Sequence, residues 1–380
     1  MKASLMLYQS DNWSVHPKSD NLDPQKTSLV LGFGEKGLLA DQPIYDQLRE
    51  KFPQANIVLC STSGEIFDES VYDESVSVSA IEFEKTTVHA VSIKVGDYTN
   101  SFEAGKALVN QLELENLAYI LVLSDGTQVN GSELVRGVNS VINYRVPVTG
   151  GLAGDAARFQ STLVGLNQVP SAGNIVAIAF YGQHLSVAHS SMGGWDTFGP
   201  EREITKSDSN VLYEIDGKNA LELYKLYLGD YAKELPGSAL LFPLSVKLTD
   251  SSEPVVRTIL TIDNEKQAMV FAGDVPIGSQ VRFMRANFDR LVDAATQAGC
   301  ETLMMKPDMT PKLAILISCV GRKLILEGRV EEEVVAVGDA FNNNTLLTGF
   351  YSYGEISPFS PKSKCELHNQ TMTITTFNEI

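Results

Sequence analysis

The chain has 380 residues, 43% of them apolar and 20% charged, the balance of an ordinary folded protein with room for two cores. Its net charge of −17 excludes the clustered Lys and Arg that a nucleic-acid partner or an anionic membrane surface requires. No apolar run approaches the ~20 residues of a membrane helix. Met1 to Asn12 lack the apolar stretch of a secretory signal, and Cys60, Cys300, Cys319 and Cys365 form no Cys-x-x-Cys pair, so a cytoplasmic protein with reduced thiols is expected.

Residues 1–26 are polar, with His16-Pro17 and Asp23-Pro24, and read as a loose N-terminal arm. A short apolar strand, Ser28 to Leu31, then ends in glycines. The next helix has Pro43 near its first turn and Ile44, Leu48 and Phe52 on one face. Strand Asn56 to Cys60 runs into a small-residue corner, Ser61-Thr-Ser-Gly-Glu65, and the alternating segment Val76 to Phe83 returns.

Strand Thr87 to Val95 and helix Phe102 to Leu114 lead into a second copy of this pattern. Strand Ala118 to Leu123 is followed by the turn Ser124-Asp125-Gly126 and a helix from Ser132 to Asn143. Strand Val146 to Thr149 then enters the corner Gly150-Gly-Leu-Ala-Gly-Asp155, with Asn174 to Phe180 as return strand. After Met192-Gly-Gly-Trp195, the alternating run Asn210 to Ile215 and a helix from Ala220 to Tyr231, Pro236-Gly237 marks a domain joint.

The third copy follows strand Ser279 to Met284 and helix Asn287 to Gln297. It has strand Leu313 to Ile317, turn Ser318 to Gly321, helix Arg329 to Val337 and strand Thr345 to Thr348. Its corner, Gly349-Phe-Tyr-Ser-Tyr-Gly-Glu355, precedes the return strand Gln370 to Phe377. The predicted fold is α/β (mixed α+β): two related halves with mixed sheets flanked by helices, built on a diverged internal repeat. The expected division is an arm at 1–26, one domain at 27–235 and a second at 236–380.

Few motifs carry chemistry. Gly32-Phe-Gly-Glu-Lys-Gly37 spells a dinucleotide fingerprint, but Leu38 to Pro43 intervene before helical spacing begins, so a plain strand-end loop is the better reading. Cys319 after a buried strand is either a small buried hydrophobe or a nucleophile. His368, ahead of the last strand, fits a metal or haem ligand, an acid/base or a backbone-bonded histidine. His184 and His189 fall on opposite faces of one strand and form no joint metal site. Arg158, Arg257 and Arg322 fit either carboxylate recognition or structural ion pairs. In Phe350-Tyr-Ser-Tyr353, one alternate pair faces a cleft with Glu355 and the other packs inside.

These stretches together resemble the FIST family of bacterial sensory proteins, which carry an N-terminal and a C-terminal FIST domain. The matching segments are Cys60-Ser-Thr-Ser-Gly-Glu65, Ser124-Asp-Gly126, Gly150 to Asp155, Gly194-Trp195, Cys319-Val-Gly-Arg322, Gly349 to Ile356 and Leu367-His-Asn-Gln-Thr-Met372. The resemblance implies a cytoplasmic, non-enzymatic input module that binds a small ligand, with amino acids proposed for the family. Some members resemble haem-based nitric oxide sensors that regulate a histidine kinase. With no output segment after Ile380, a separate signalling protein such as a histidine kinase is the expected partner.

The expected ligand site lies at the third corner, in the C-terminal half. Tyr351, Tyr353 and Glu355 supply polar and aromatic contacts, Arg322 beside Cys319 meets an anionic group, and His368 with Asn369 completes the wall. Two alternatives stand beside it. One is haem held by His368, with His184 or His189 as alternates; the other is a cysteine-dependent hydrolase using Cys319 and His368.

Overall fold

The computed structural model describes residues 1–143, 145–249, 253–358 and 363–380. Three six-stranded mixed sheets share one strand plan. In each, two neighbouring strands run parallel and a return strand pairs antiparallel to the first of them. Sheet I uses Leu29–Gly34 beside Asn56–Ser61 with Val76–Glu82 returning. Sheet II uses Leu117–Ser124 beside Val148–Leu152 with Asn174–Tyr181. Sheet III uses Leu313–Cys319 beside Leu346–Ser352 with Met372–Glu379. The three copies read in the sequence therefore build one sheet each.

Side-chain alternation along the strands explains how the sheets pack. Leu29, Leu31 and Phe33, then Tyr119, Leu121 and Leu123, then Leu313, Ile315 and Ile317 all point into one central core enclosed by the three sheets. The intervening residues face outward under helices. Val30 lies in the core under helix Ile44–Lys51, Ile120 and Val122 under helices Ser101–Val109 and Gly131–Ile142, and Ala314 and Leu316 under helices Phe288–Met305 and Val330–Ala340. Strands buried on both faces need continuous apolar runs, which is what these segments are.

The sheets are locked by exchange. After each corner the chain leaves its own sheet and adds a strand to another. Glu65–Phe67 pairs with Leu346–Ser352 in sheet III, Val164–Leu166 with Asn56–Ser61 in sheet I, and Gly354–Pro358 with Val148–Leu152 in sheet II. The exchange closes a ring of three. Glycine is required where the corners begin. A Cβ on Gly150 would sit 1.9 Å from the Val122 carbonyl oxygen, and one on Gly349 would sit 1.8 Å from that of Leu316, both at φ near 155°.

A fourth, eight-stranded antiparallel sheet spans Asp196–Asp208 to Gln280–Arg285, with helix Ala220–Leu228 packed on it and a core of its own. This module is inserted between strand Leu185–Met192 and helix Phe288–Met305 of the third unit. Trp195, Met284, Leu291, Ile325 and Leu326 pack between it and the three-sheet body.

Two sequence expectations need correction. Residues 1–26 are no loose arm: Lys2–Gln9 is a buried strand paired along its length with Val76–Glu82, and Asn12–Val15 pairs with it in turn. The helix after Gly32-Phe-Gly34 also starts at once, at Lys36, with Glu35 as its cap. The Glu35 carboxylate accepts the Leu38 amide at 2.9 Å, so a side-chain anion already occupies the place a phosphate would take. Among the described residues, no helix is long and apolar enough to cross a membrane.

Candidate functional site

The three corners meet and bond to one another through backbone. Ser63 N donates to Tyr351 O at 2.8 Å, Tyr351 N to Gly64 O at 2.9 Å, Gly154 N to Ser61 O at 2.9 Å, and Tyr353 N to Leu152 O at 3.1 Å. Their carboxylates turn inward. Glu355 accepts from Ser352 Oγ (2.6 Å) and from Thr371 N and Oγ1 (3.2 and 2.9 Å). Glu65 repeats this arrangement with Thr62 and Ser75. Burial outweighs these donors and pushes both carboxyls up to about 8. Asp155 accepts the amides of Gln160 and Ser161, each at 3.1 Å, and the Tyr353 hydroxyl.

The structure spreads the seven sequence-predicted site residues over separate tasks. Arg322 and Glu333 form an ion pair at 2.7 Å with neither side chain exposed. Arg322 also donates to the carbonyls of Gly193 (2.6 Å) and Leu291 (2.8 Å), while Glu333 accepts from Ser318 Oγ and Tyr351 Oη. Arg322 and Tyr351 thus hold helix Val330–Ala340 to its sheet. Glu355 binds its own corner and the return strand. Asn369 Nδ2 donates to the His368 carbonyl at 3.0 Å. Of the seven, Tyr353 lines the cavity described below.

Neither alternative chemistry finds its geometry at these residues. The Cys319 thiol is 4% exposed, and burial, reinforced by the Glu355 carboxyl, pushes its pKa far up, away from thiolate. His368 is 1% exposed; its Nε2 donates to the Ser357 carbonyl at 2.9 Å, and burial pushes its pKa down to about 4. An imidazole so enclosed has no face to offer a haem iron. His189 is likewise buried and pushed down to about 4, and the exposed His184 bonds the Ile380 carbonyl at 2.8 Å. The residues do not fit haem.

A cavity of about 310 Å³ opens where the three-sheet body meets the inserted module. The body contributes the loop Gly126–Gly131 with Leu152, Phe159, Tyr353 and Leu367, and the module contributes Asn210, Leu260 and Phe271–Gly273. The Ser124-Asp125-Gly126 turn builds the loop. Asp125, wholly buried, accepts from Thr127 N (2.7 Å), Thr127 Oγ1 (3.0 Å), Gln128 N (2.7 Å) and Gly173 N (2.9 Å). Gly126 passes so close to the Ala153 carbonyl that a Cβ would lie 2.0 Å from it. Asn130 then caps helix Gly131–Ile142 through the Glu133 amide and donates to Asp274 of the module at 3.0 Å.

An aromatic shelf forms one side of the cavity. Phe159 stacks on Tyr353 with ring centroids 4.5 Å apart and an 18° interplanar angle, and its backbone amide donates to the Tyr353 hydroxyl at 3.0 Å. Phe159 nevertheless remains 45% exposed. It and Leu260 also line a second, adjoining cavity of about 370 Å³ with Pro236, Gly237, Leu240, Ile259 and Thr261. Sequence reasoning flagged the Ser-Asp-Gly turn and Tyr353 but missed the module side, whose residues carry no motif.

No curated protein matches the sequence. Among solved structures, the chain aligns over its full length with 99% of cyanuric acid hydrolase from A. caulinodans, at 6% identity and a TM-score of 0.40. It aligns likewise with 99% of a second cyanuric acid hydrolase at 10% identity and a TM-score of 0.35. The FIST N domain matches residues 28–218 and the FIST C domain residues 220–358. Together these two matches span most of the chain, which belongs to the FIST family of small-ligand-binding, signal-transduction domains.

Proposed function

We propose that the chain is a small-molecule sensor whose ligand binds in the cavity between the three-sheet body and the inserted module. The observation that carries this reading is the position of the cavity: both parts contribute walls, so a ligand there contacts both at once. Binding free energy then favours one seating of the module on the body, which is the differential contact a sensor needs. The output goes through a separate signalling protein such as a histidine kinase.

Hydrogen exchange tests the reading. A small-molecule extract added to the protein is expected to slow exchange in 126–131 and 259–273. Leu260→Trp, which fills the cavity from a half-exposed position, is expected to abolish that protection with the fold intact. Protection confined to other segments, or surviving in Leu260→Trp, refutes the proposal.

A further inference from the structure

We infer that the part of the ligand held in this cavity is uncharged: a ring-bearing molecule with amide-type hydrogen-bonding groups, rather than a carboxylate, an ammonium or a free amino acid. This rests on the cavity being the ligand site. Among the described residues lining it there is no Asp, Glu, Lys, Arg or His. That absence is selective, because the chain has 47 acidic and 30 basic residues. The cleft beside the first corner, of about 370 Å³, is walled by Glu35, Glu65, Asp73, Glu74, Arg158 and Lys323.

Burying an ionic group without a partner costs several kcal/mol, so a site that selects an ion supplies an opposite charge or converging donors. Here the nearest charges are already engaged. Asp125 is consumed by three bonds within its own loop and one from Gly173 N, Asp155 by Tyr353 and two amides, Asp274 by Asn130 and Arg136, and the buried Arg257 behind Gly273 by the carbonyls of Val256, Asp274 and Leu367. The N-terminus of helix Gly131–Ile142 offers no anion seat either: Asn130 caps it, Glu133 lies in its first turn and Asp274 stands beside the cap.

What remains unpaired is neutral. At the cavity mouth the exposed Gln128 offers its side-chain amide and the half-buried Asn210 its Oδ1, Asn210 Nδ2 being spent on the Phe271 carbonyl at 2.8 Å. One primary amide and one carbonyl-type acceptor beside the Phe159–Tyr353 shelf fit a planar molecule carrying its own amide or ring N–H and C=O groups.

Ligand-observed NMR with matched probes at millimolar concentration tests this. Benzamide, benzoate and benzylamine share one ring and differ in charge; indole-3-acetamide, indole-3-acetate, tryptamine and tryptophan do the same for a second ring. The expected result is binding of the amides at least tenfold tighter than their charged counterparts, lost in Leu260→Trp and weakened in Phe159→Ala. Binding of a charged probe equal to or tighter than its amide, and lost in Leu260→Trp, overturns the inference while keeping the cavity as the site. If no probe shows binding sensitive to Leu260→Trp, the cavity is not the ligand site and the inference falls with it.

Discussion

Replacing Glu333 by Ala separates a structural arginine from a ligand-binding one. In the folded chain Arg322 donates four hydrogen bonds, two to Glu333 Oε2 at 2.7 and 3.0 Å and two to backbone carbonyls. Glu333→Ala removes the only carboxylate within salt-bridge distance of this guanidinium among the described residues, and it also strands the hydroxyls of Ser318 and Tyr351. Breaking one side of a buried pair costs about 3–5 kcal/mol, because the remaining charge stays out of water. Urea denaturation should show that loss. The pair should also be non-additive: Arg322→Met with Glu333→Leu should recover the part of the loss due to the buried charge, the Ser318 and Tyr351 hydroxyls and the Gly193 and Leu291 carbonyls still lacking their partners. Probe binding at the cavity should be unchanged in the folded fraction. A Glu333→Ala protein within about 1 kcal/mol of the parent would refute the structural reading, the cost being well below that of a broken buried pair.

Three further outcomes follow from the geometry. Gly349→Ala should prevent folding or lower the thermal midpoint sharply, because its Cβ would stand 1.8 Å from a neighbouring carbonyl oxygen; a parent-like melting curve would show that the parallel strands are not so closely spaced. Tyr353→Phe removes the hydroxyl that donates to Asp155 and accepts the Phe159 amide, so it should cost about 1–3 kcal/mol and loosen the aromatic shelf, read as weaker probe binding. Glu65 and Glu355 hold their protons in the folded chain up to about 8, above the ordinary 4.5, so the stability they contribute is full below 4.5 and erodes as pH rises through 8. His368, pushed down from 6.5 to about 4, has the opposite sign: its contribution is full above 6.5 and is lost as pH falls through 4. Glu355→Gln should therefore flatten the decline of the urea midpoint between pH 4.5 and 8, and an unaltered slope there would count against a protonated Glu355.

The strands of the three sheets were legible because they are buried on both faces. Leu313 to Ile317 is apolar at every position, and its alternate side chains serve two different cores. The first strand, though also buried on both faces, was missed. Its Leu5-Met6-Leu7 core is short, the following residues are polar, and it is held by Val76–Glu82, about 75 residues away. The chemistry of the corners was visible but not its direction. Nothing in Gly-Glu at 354–355 tells whether the carboxylate faces a cleft or the chain; Thr371, just ahead of the last strand, decides it. Arg322 similarly looks like an anion receptor until Glu333 on the next helix is placed against it. The joint cavity was the least legible feature, because Asn210, Leu260 and Phe271–Gly273 reach it only through the folding of the module.

The closed exchange of strands also constrains where a signal can arise. Each corner carries the chain from one sheet into another, and the corners are bonded to each other through backbone amides. Moving one corner by an ångström would strain two sheets and both neighbouring corners, and close-packed interiors resist such displacement. The module is held differently. It joins the body through two covalent connections, after Met192 and after Arg285, and rests on the Trp195 cluster, with the Trp195 indole donating to the Gln370 carbonyl at 2.9 Å. Its remaining contact with the body combines polar bonds, from Asn130 to Asp274 and from Arg257 to the Leu367 carbonyl, with a cavity. On the proposed reading, a ligand that fills that space contacts body and module together, and the ring of corners is the frame against which a change in the module's seating would be read.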